Sequence, residues 1–109
     1  MYIPQRGDLI WISFDPQAGH EQRGKRPALV LSHDGFNRTM GFAYVCPISN
    51  TKRRNPFYVR LPEDLSVTGV IMADQMRSLD FRARTASLIC SCPDLVLQDV
   101  LRRIKPVLF

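Results

Sequence analysis

The sequence predicts one small, mainly β domain with a single C-terminal helix, and three observations support this prediction. Its 109 residues are enough for one hydrophobic core and too few for two. Short apolar segments rich in β-forming residues recur between residues 8 and 89, separated by turn-forming residues. Helical periodicity of the apolar residues begins only after Pro93. We therefore expect five to seven short strands in a strongly curved sheet or partly open barrel, with the helix packed on it.

The predicted strands follow the apolar segments in order. They cover residues 8–14, 27–31, 42–48, 57–61 and 69–73, and a further strand is expected to run from about 82 to 89. Pro27 to Leu31 is continuously apolar, which predicts burial on both faces, and Trp11 of the first strand is expected in the core. Residues 33–37 have the composition of a turn.

The last segment has the pattern of an amphipathic helix. Pro93 suits the first helical position and Asp94 complements the positive end of the helix dipole. Four apolar residues then recur with helical spacing and form one stripe: Leu97, Val100, Leu101 and Ile104. Pro106 is expected to stop or kink the helix.

Composition limits the classes of function. Fifteen Lys and Arg against ten Asp and Glu give a net charge of +5, which favours polyanionic partners and also suits plain solubility. No apolar stretch approaches the roughly 18 residues of a membrane span, and no signal peptide is visible. Three cysteines without metal-ligand spacing (Cys46, Cys90 and Cys92) predict no zinc site and no disulfide framework, and they favour a cytoplasmic protein with buried, inert thiols.

Polar residues that can do chemistry concentrate in three clusters. The first, His20 to Pro27, lies in and after a loop that is longer than usual, the second is Ser49 to Arg54, and the third is Asp74 to Ser78. Residue types alone allow each cluster to be a solvated loop or turn. Together they describe a site for a polyanion with titratable groups beside it, because the planar guanidinium of arginine matches phosphate oxygens.

Several motifs follow one another along the chain. The opening Gly7-Asp8-Leu9-Ile10-Trp11, joined to Gly19-His20-Glu21-Gln22 and to Gly24 with Arg26-Pro27, is quite specific. Further motifs lie at residues 14–16, 45–49, 56–57, 69–70, 73–75, 77–78 and 82–84 and in the C-terminal helix. Together these segments resemble the MazF/PemK/Kid family of toxins from bacterial toxin–antitoxin pairs, and the resemblance spans essentially the whole chain, residues 1–109, as one domain.

The resemblance implies a small CcdB/PemK-like β-barrel that forms a homodimer. It implies a toxin with sequence-specific endoribonuclease activity on single-stranded RNA, without metal or other cofactor, that halts translation by cutting mRNA. It also implies neutralisation by a cognate antitoxin with an acidic, disordered tail. Two alternatives stay open: a non-enzymatic poison of a DNA topoisomerase, and an RNA-binding barrel that has lost catalysis. The topoisomerase poisons of this superfamily act through an aromatic-glycine tip, whereas this chain ends in Val107-Leu108-Phe109.

The resemblance also assigns residues to catalysis. Arg26 matches the family's most constant catalytic arginine, and Glu21 matches its loop glutamate, our candidate base. His20 is the better-matched proton donor, because its ordinary pKa of about 6.5 is near working pH. Ser49 stands where many members have a threonine, and Asp74 is expected to orient an arginine or read a base edge. Met72 replaces a catalytic arginine of the Kid-like branch, which favours Arg26 as the principal cation.

Further residues are expected to bind RNA. The candidates are polar or basic and lie in or near the same clusters: Gln22, Arg23, Lys25, Asn50, Lys52, Arg53, Gln75, Arg77 and Arg84. The expected reaction is attack of the ribose 2′-hydroxyl on the neighbouring phosphate, which yields a 2′,3′-cyclic phosphate and a 5′-hydroxyl end.

Overall fold

The computed structural model describes residues 1–14 and 24–109. These residues form seven strands and two α-helices. In chain order they are β1 (Asp8–Ser13), β2 (Lys25–Val30), α1 (Asp34–Met40), β3 (Ala43–Ser49), β4 (Tyr58–Arg60), β5 (Val70–Met72), β6 (Arg77–Leu79), β7 (Ser87–Ser91) and α2 (Asp94–Leu108). A 3₁₀ turn, Ala73–Gln75, joins β5 to β6.

The strands form one antiparallel sheet in the order β4-β5-β3-β2-β1-β7, and β6 pairs separately with β3. Within the described ranges β4 and β7 lie at opposite edges and do not pair, so the sheet is open. The mainly β fold with a C-terminal helix is thus confirmed, as the open alternative rather than a closed barrel.

Strand β3 is central to the arrangement because both of its edges are used. One edge pairs with β2, with Ala28 opposite Pro47. The other edge is divided: its first half pairs with β6, and its last two residues pair with β5. The 3₁₀ turn lies where the two partners meet. The third predicted polar cluster therefore borders the middle and first half of β3, and the second cluster begins at the last residue of the same strand.

The sheet has a buried cluster on each face. Leu97, Val100 and Ile104 of α2 pack on the face that carries Leu9 and Leu29. These helix residues belong to the predicted stripe, so the sequence pattern identified the buried side of α2 correctly. The opposite face buries a second cluster built from Ile10, Ile12, Ala28, Val30, Ala43, Val45, Leu79 and Phe81.

Several local predictions are wrong. Residues 34–40 form α1 rather than a turn, and Asn37 stabilises this region by donating hydrogen bonds to the carbonyls of Pro4 (2.8 Å) and Ser32 (3.1 Å). Trp11 is 42% exposed, because it lies two residues beyond Leu9 and outside the cluster under α2. Helix α2 begins at Asp94, with Pro93 as its N-cap.

Helix α2 also continues past Pro106 to Leu108, where a stop or kink was expected. Proline removes one main-chain donor, and so near the end of a helix it costs a single bond. The Phe109 amide still donates to the Lys105 carbonyl (2.8 Å), which closes the last turn. The described helices include none with the length and apolar character that crossing a bilayer requires.

Candidate active site

Arg26 lies on a strand that is held from both sides. It is the second residue of β2, opposite Ile12 of β1, and the residues that follow it pair with β3. Its side chain is nevertheless exposed. Among the described residues, the guanidinium takes part in no ion pair or side-chain hydrogen bond. The structure therefore presents a fixed backbone with an exposed cation.

Ser49 ends β3 on the side of the sheet where Arg26 begins β2, and the strand register relates the two residues. Ala28 pairs with Pro47, and continuing this register by two residues sets Arg26 opposite Ser49. Residues opposite each other in a sheet project from the same face and are within side-chain reach. The Ser49 hydroxyl accepts a hydrogen bond from the Thr51 amide (3.2 Å), and the side chain is half-buried. A guanidinium and a hydroxyl are thus brought to one end of the β2–β3 pair.

The basic turn after β3 is exposed. Lys52 and Arg53 point to solvent, and the Arg53 amide donates to the Thr51 hydroxyl (3.2 Å). The Asn50 side-chain oxygen accepts a hydrogen bond from the Thr68 hydroxyl (3.1 Å), which ties the turn to the segment before β5. These residues lie directly beyond Ser49, so their charges and amide groups extend the surface that begins at Arg26.

Asp74 and Gln75 are exposed on the 3₁₀ turn beside β3. Burial, followed by the negative charge of Asp74, raises the pKa of the Cys46 thiol to about 12. The 3₁₀ turn that carries Asp74 contacts β3. The third predicted cluster therefore borders the same strand as Ser49. Met72, which replaces an arginine of the Kid-like pattern, ends β5 and is half-buried.

Two of the predicted RNA-binding arginines are turned toward the protein. The Arg77 guanidinium lies over the Phe14 ring, 5.4 Å from its centroid. Arg84 donates a hydrogen bond from Nη1 to the Ser13 carbonyl (3.0 Å). Both contacts are made to the end of β1. Sequence reasoning missed the Arg84 contact because any residue can supply an acceptor carbonyl, and it missed the Arg77 contact because Phe14 is distant in the chain.

Four predicted site residues lie outside the described ranges: His20, Glu21, Gln22 and Arg23. Lys25 begins β2 opposite Ser13 and is half-buried. Across residues 1–14 and 24–109, no group of three His, Cys, Asp or Glu side chains is placed to hold a metal ion.

The described part of the site can bind an anion with oxygen acceptors. Arginine offers a planar set of donors that fits two phosphate oxygens, and a neighbouring hydroxyl can donate to a third. Such donors stabilise charge best when the protein fixes them before the substrate arrives. The pairing of β2 with both neighbours supplies that fixation for the backbone of Arg26.

Comparison with known proteins identifies the family. The sequence model of the PemK-like, MazF-like toxins of type II toxin–antitoxin systems matches residues 5–108. The chain is 42% identical over 108 residues to the endoribonuclease toxin ChpB of Escherichia coli K12, covering 94% of this chain and 92% of the relative. It is 43% identical over 86 residues to the endoribonuclease toxin MazF of the same strain, covering 79% and 77% of the two chains.

Solved structures agree with the sequence match. The crystal structure of MazF from Deinococcus radiodurans superposes with a TM-score of 0.89 at 44% identity, covering 99% of this chain and 98% of that one. A MazE–MazF structure from the same organism gives a TM-score of 0.88 at 38% identity, covering 99% and 97%. The chain thus belongs to the PemK-like, MazF-like family of type II toxin–antitoxin toxins.

Proposed function

We propose that this protein is a sequence-specific, metal-independent endoribonuclease that cleaves single-stranded RNA as the toxin of a type II toxin–antitoxin system. The observation that carries the proposal is the exposed guanidinium of Arg26 beside Ser49. Relatives that are 42–43% identical are named endoribonuclease toxins, which supports the same activity here.

The proposed chemistry uses a nucleophile that RNA itself provides. The ribose 2′-oxygen forms a bond to the adjacent phosphorus, and the bond from phosphorus to the 5′-oxygen of the next nucleotide breaks. Glu21 takes the proton from the 2′-hydroxyl and His20 gives one to the leaving 5′-oxygen, a type of proton transfer that contributes about 10²–10⁴-fold. The products are a 2′,3′-cyclic phosphate and a 5′-hydroxyl end.

Arg26 and Ser49 act on the phosphate in this proposal. Negative charge builds on the non-bridging oxygens as the phosphorus becomes five-coordinate, and the guanidinium stabilises that charge. Ser49 donates its hydroxyl to one of the same oxygens. Asp74 orients a cation or accepts a hydrogen bond from a base edge.

RNA recognition is assigned to the exposed surface around these groups. Four basic residues supply cations for neighbouring phosphates: Arg23, Lys25, Lys52 and Arg53. Each phosphate contact adds about 0.7 to the salt slope, which is the steepness with which the logarithm of the affinity for single-stranded RNA falls with the logarithm of the salt concentration. Asn50 and Gln75, with Gln22, carry amides that can read the edges of unstacked bases. In this proposal, base reading and cleavage occur on one surface, that of Arg26 and Ser49.

Two protein partners belong to the proposal. The first is a cognate antitoxin with an acidic, disordered tail, which suits a basic protein whose structural relatives include MazE–MazF complexes. The second is another copy of this chain. An apolar groove of about 750 Å³ lies between the end of α2 and the sheet, bordered by Tyr44, Leu108 and Phe109, which are all exposed. An uncovered apolar groove of this kind is typical of an interface, and we propose that a homodimer covers it.

The test is incubation of the purified protein with a long single-stranded RNA, with and without EDTA, followed by mapping of the new ends. We expect cleavage in EDTA at a recurring short sequence, with 5′-hydroxyl ends. Replacing the 2′-hydroxyl by hydrogen at a mapped site should abolish cutting there. Loss of activity in EDTA would contradict the metal-free reaction, and cutting of the 2′-deoxy substrate would contradict the nucleophile.

Substitution of Arg26 tests the centre of the site. Arg26→Ala should lower the cleavage rate more than tenfold. Arg38→Ala is the matched control, since it removes the same charge from the exposed face of α1 and should leave the rate unchanged. An effect of Arg26→Ala below tenfold would place the phosphate elsewhere. RNA binding without cleavage, or inhibition of a topoisomerase without cleavage, would favour one of the two alternatives.

A further inference from the structure

The geometry points to Arg84 as a positioning residue that fixes the end of β1 and, through it, the segment of β2 that carries Arg26. This inference rests on the proposed function for its catalytic consequence. It gives Arg84 a role different from the RNA contact expected from the sequence. In this role the guanidinium is used inside the protein, and it affects catalysis only through the placement of Arg26.

Two hydrogen bonds join Arg84 to the last residue of β1. Its Nη1 donates to the Ser13 carbonyl (3.0 Å), and the Ser13 amide donates to the Arg84 carbonyl (3.3 Å). Ser13 is fully buried and Arg84 is half-buried. Ser13 pairs with Lys25, and the preceding residue, Ile12, pairs with Arg26. Arg84 therefore acts one residue pair away from the proposed phosphate-binding guanidinium.

The turn that carries Arg84 is itself firmly built. The Asp80 carboxylate accepts hydrogen bonds from the amides of Arg82 (3.1 Å) and Ala83 (3.0 Å). The Ala86 amide donates to the carbonyl of Phe81 (3.0 Å), whose ring is buried in the core. A guanidinium presented by such a turn loses little conformational freedom when it binds the Ser13 carbonyl.

Arg77 contacts Phe14, the residue that follows Ser13, and does so from β6 rather than from the turn that carries Arg84. It lies on β6, opposite Val45 of β3, and its guanidinium covers the Phe14 ring. Contacts of this type between a cation and a ring contribute about 0.5–1 kcal/mol at exposed sites. The end of β1 is thus held at Ser13 by the turn after β6 and at Phe14 by β6 itself.

A positioning role and a phosphate contact predict different measurements. Misplacement of a catalytic group by about 1 Å can cost about 10²-fold in rate, while the number of phosphates contacted stays the same. Loss of a phosphate contact instead lowers the salt slope of binding by about 0.7. The cleavage rate at saturating RNA and the salt slope of RNA binding therefore separate the two roles.

The experiment compares Arg84→Met, which keeps the apolar stem, with Arg84→Lys and with Arg82→Met as a control. Arg82 lies in the same turn, is exposed, and its guanidinium lies 5.7 Å from the centroid of the Phe81 ring. The probes are a single-stranded RNA spanning a mapped cleavage site, and the same RNA with 2′-deoxyribose at that site for binding measurements.

We expect Arg84→Met to lower the saturated single-turnover rate at least tenfold and to leave the salt slope unchanged. Arg84→Lys, which keeps one donor for the Ser13 carbonyl, should recover part of that rate, and Arg82→Met should match the wild-type rate. A salt slope lower by about 0.7 with an unchanged saturated rate would overturn the inference, because it would make Arg84 a phosphate contact. If Arg84→Met does not fold, Arg84→Gln gives the same test, since it removes the charge and keeps a side-chain donor.

Amide hydrogen exchange separates this inference from the proposed function. Arg84→Met should speed exchange at the Arg26 amide, which faces Ile12 of β1, while α2 keeps its wild-type protection. Unchanged exchange at that amide would overturn the positioning role. If the wild-type protein cuts no RNA, the proposed function fails, and the exchange measurement still decides whether Arg84 fixes this end of the sheet.

Discussion

Gly69 packs directly against the backbone of Ser49, and replacing it tests how Ser49 is held. Its φ is +121°, a conformation that side-chain-bearing residues rarely adopt. A Cβ at this position would lie 2.5 Å from the Ser49 carbonyl oxygen and 2.9 Å from the carbonyl carbon. Both are backbone atoms of β3, so neither can rotate away as a flexible side chain would.

The expected cost of Gly69→Ala has two parts. A non-glycine residue in a sparsely populated backbone region costs about 1–3 kcal/mol. Relieving the contact requires the segment before β5 to move away from β3, which weakens the pairing of Val70 with Ser49. We expect a loss of about 2–4 kcal/mol in the free energy of unfolding, within the range of severe single substitutions. For a domain of this size, that lowers the melting temperature by about 10–20 °C.

Urea denaturation followed by circular dichroism measures this loss. Gly35→Ala is the matched control, because Gly35 lies in α1 and a Cβ there meets nothing within 4 Å. Alanine is favoured over glycine inside helices, so the control should gain about 0.5–1 kcal/mol. A loss below about 0.5 kcal/mol for Gly69→Ala would refute the reasoning, since the strain term alone exceeds that value. Under conditions where Gly69→Ala remains folded, we also expect slower RNA cleavage, because Ser49 is displaced.

Two more predictions concern stability. Thr85 is β-branched and has a φ of +51°, a conformation that asparagine tolerates better. Thr85→Asn should therefore raise the free energy of unfolding by about 0.5–1 kcal/mol, and a lower melting temperature would contradict backbone strain at this residue. Burial raises the pKa of Cys46 from 9.0 to about 12, so the folded state keeps the proton that the unfolded state loses above pH 9. Between pH 9 and 11, the free energy of unfolding of the wild type should therefore fall with pH more steeply than that of Cys46→Ala, by up to about 1.4 kcal/mol per pH unit. Urea denaturation measures both slopes, and equal slopes would contradict a buried, neutral thiol.

Much of the fold follows from apolar patterning. Five predicted strands match β1 to β5 within a few residues, because each is an apolar run bounded by turn-forming residues. The final helix matches α2 because its stripe of Leu97, Val100 and Ile104 has helical spacing. The interaction that determined these elements is burial against the sheet, and burial leaves a periodic trace in the sequence.

Elements held by other interactions were missed. Strand β6 consists of Arg77, Ser78 and Leu79, with one apolar residue, so it has no pattern to detect. It forms because the first half of β3 has an edge to pair. Helix α1 depends on Asn37, which bonds to the carbonyl of Pro4, 33 residues away in the chain. Such long-range bonds to the main chain depend on the finished topology.

The candidate site shows the same division. The exposure of Arg26 and its nearness to Ser49 were expected, because both residues stand where apolar strands begin or end. The inward orientation of Arg84 was not expected, because its partner is the carbonyl of Ser13 rather than a recognisable side chain. Sequence identified which residues carry charge at this end of the sheet. The fold decided which of those charges remain available to a ligand.

That distinction changes what the net charge of +5 implies. Arg102 and Arg103 both pair with Asp99 on α2, and Arg103 also donates to the Pro56 carbonyl. Arg6 donates to the Leu31 carbonyl in a similar way to Arg84 at Ser13. Several cations are therefore committed to holding the chain, and a count of basic residues overstates the number that can meet phosphates. The proposed binding surface is the smaller set around Arg26, where the pairing of β2 with both neighbours fixes the backbone while the side chain stays exposed.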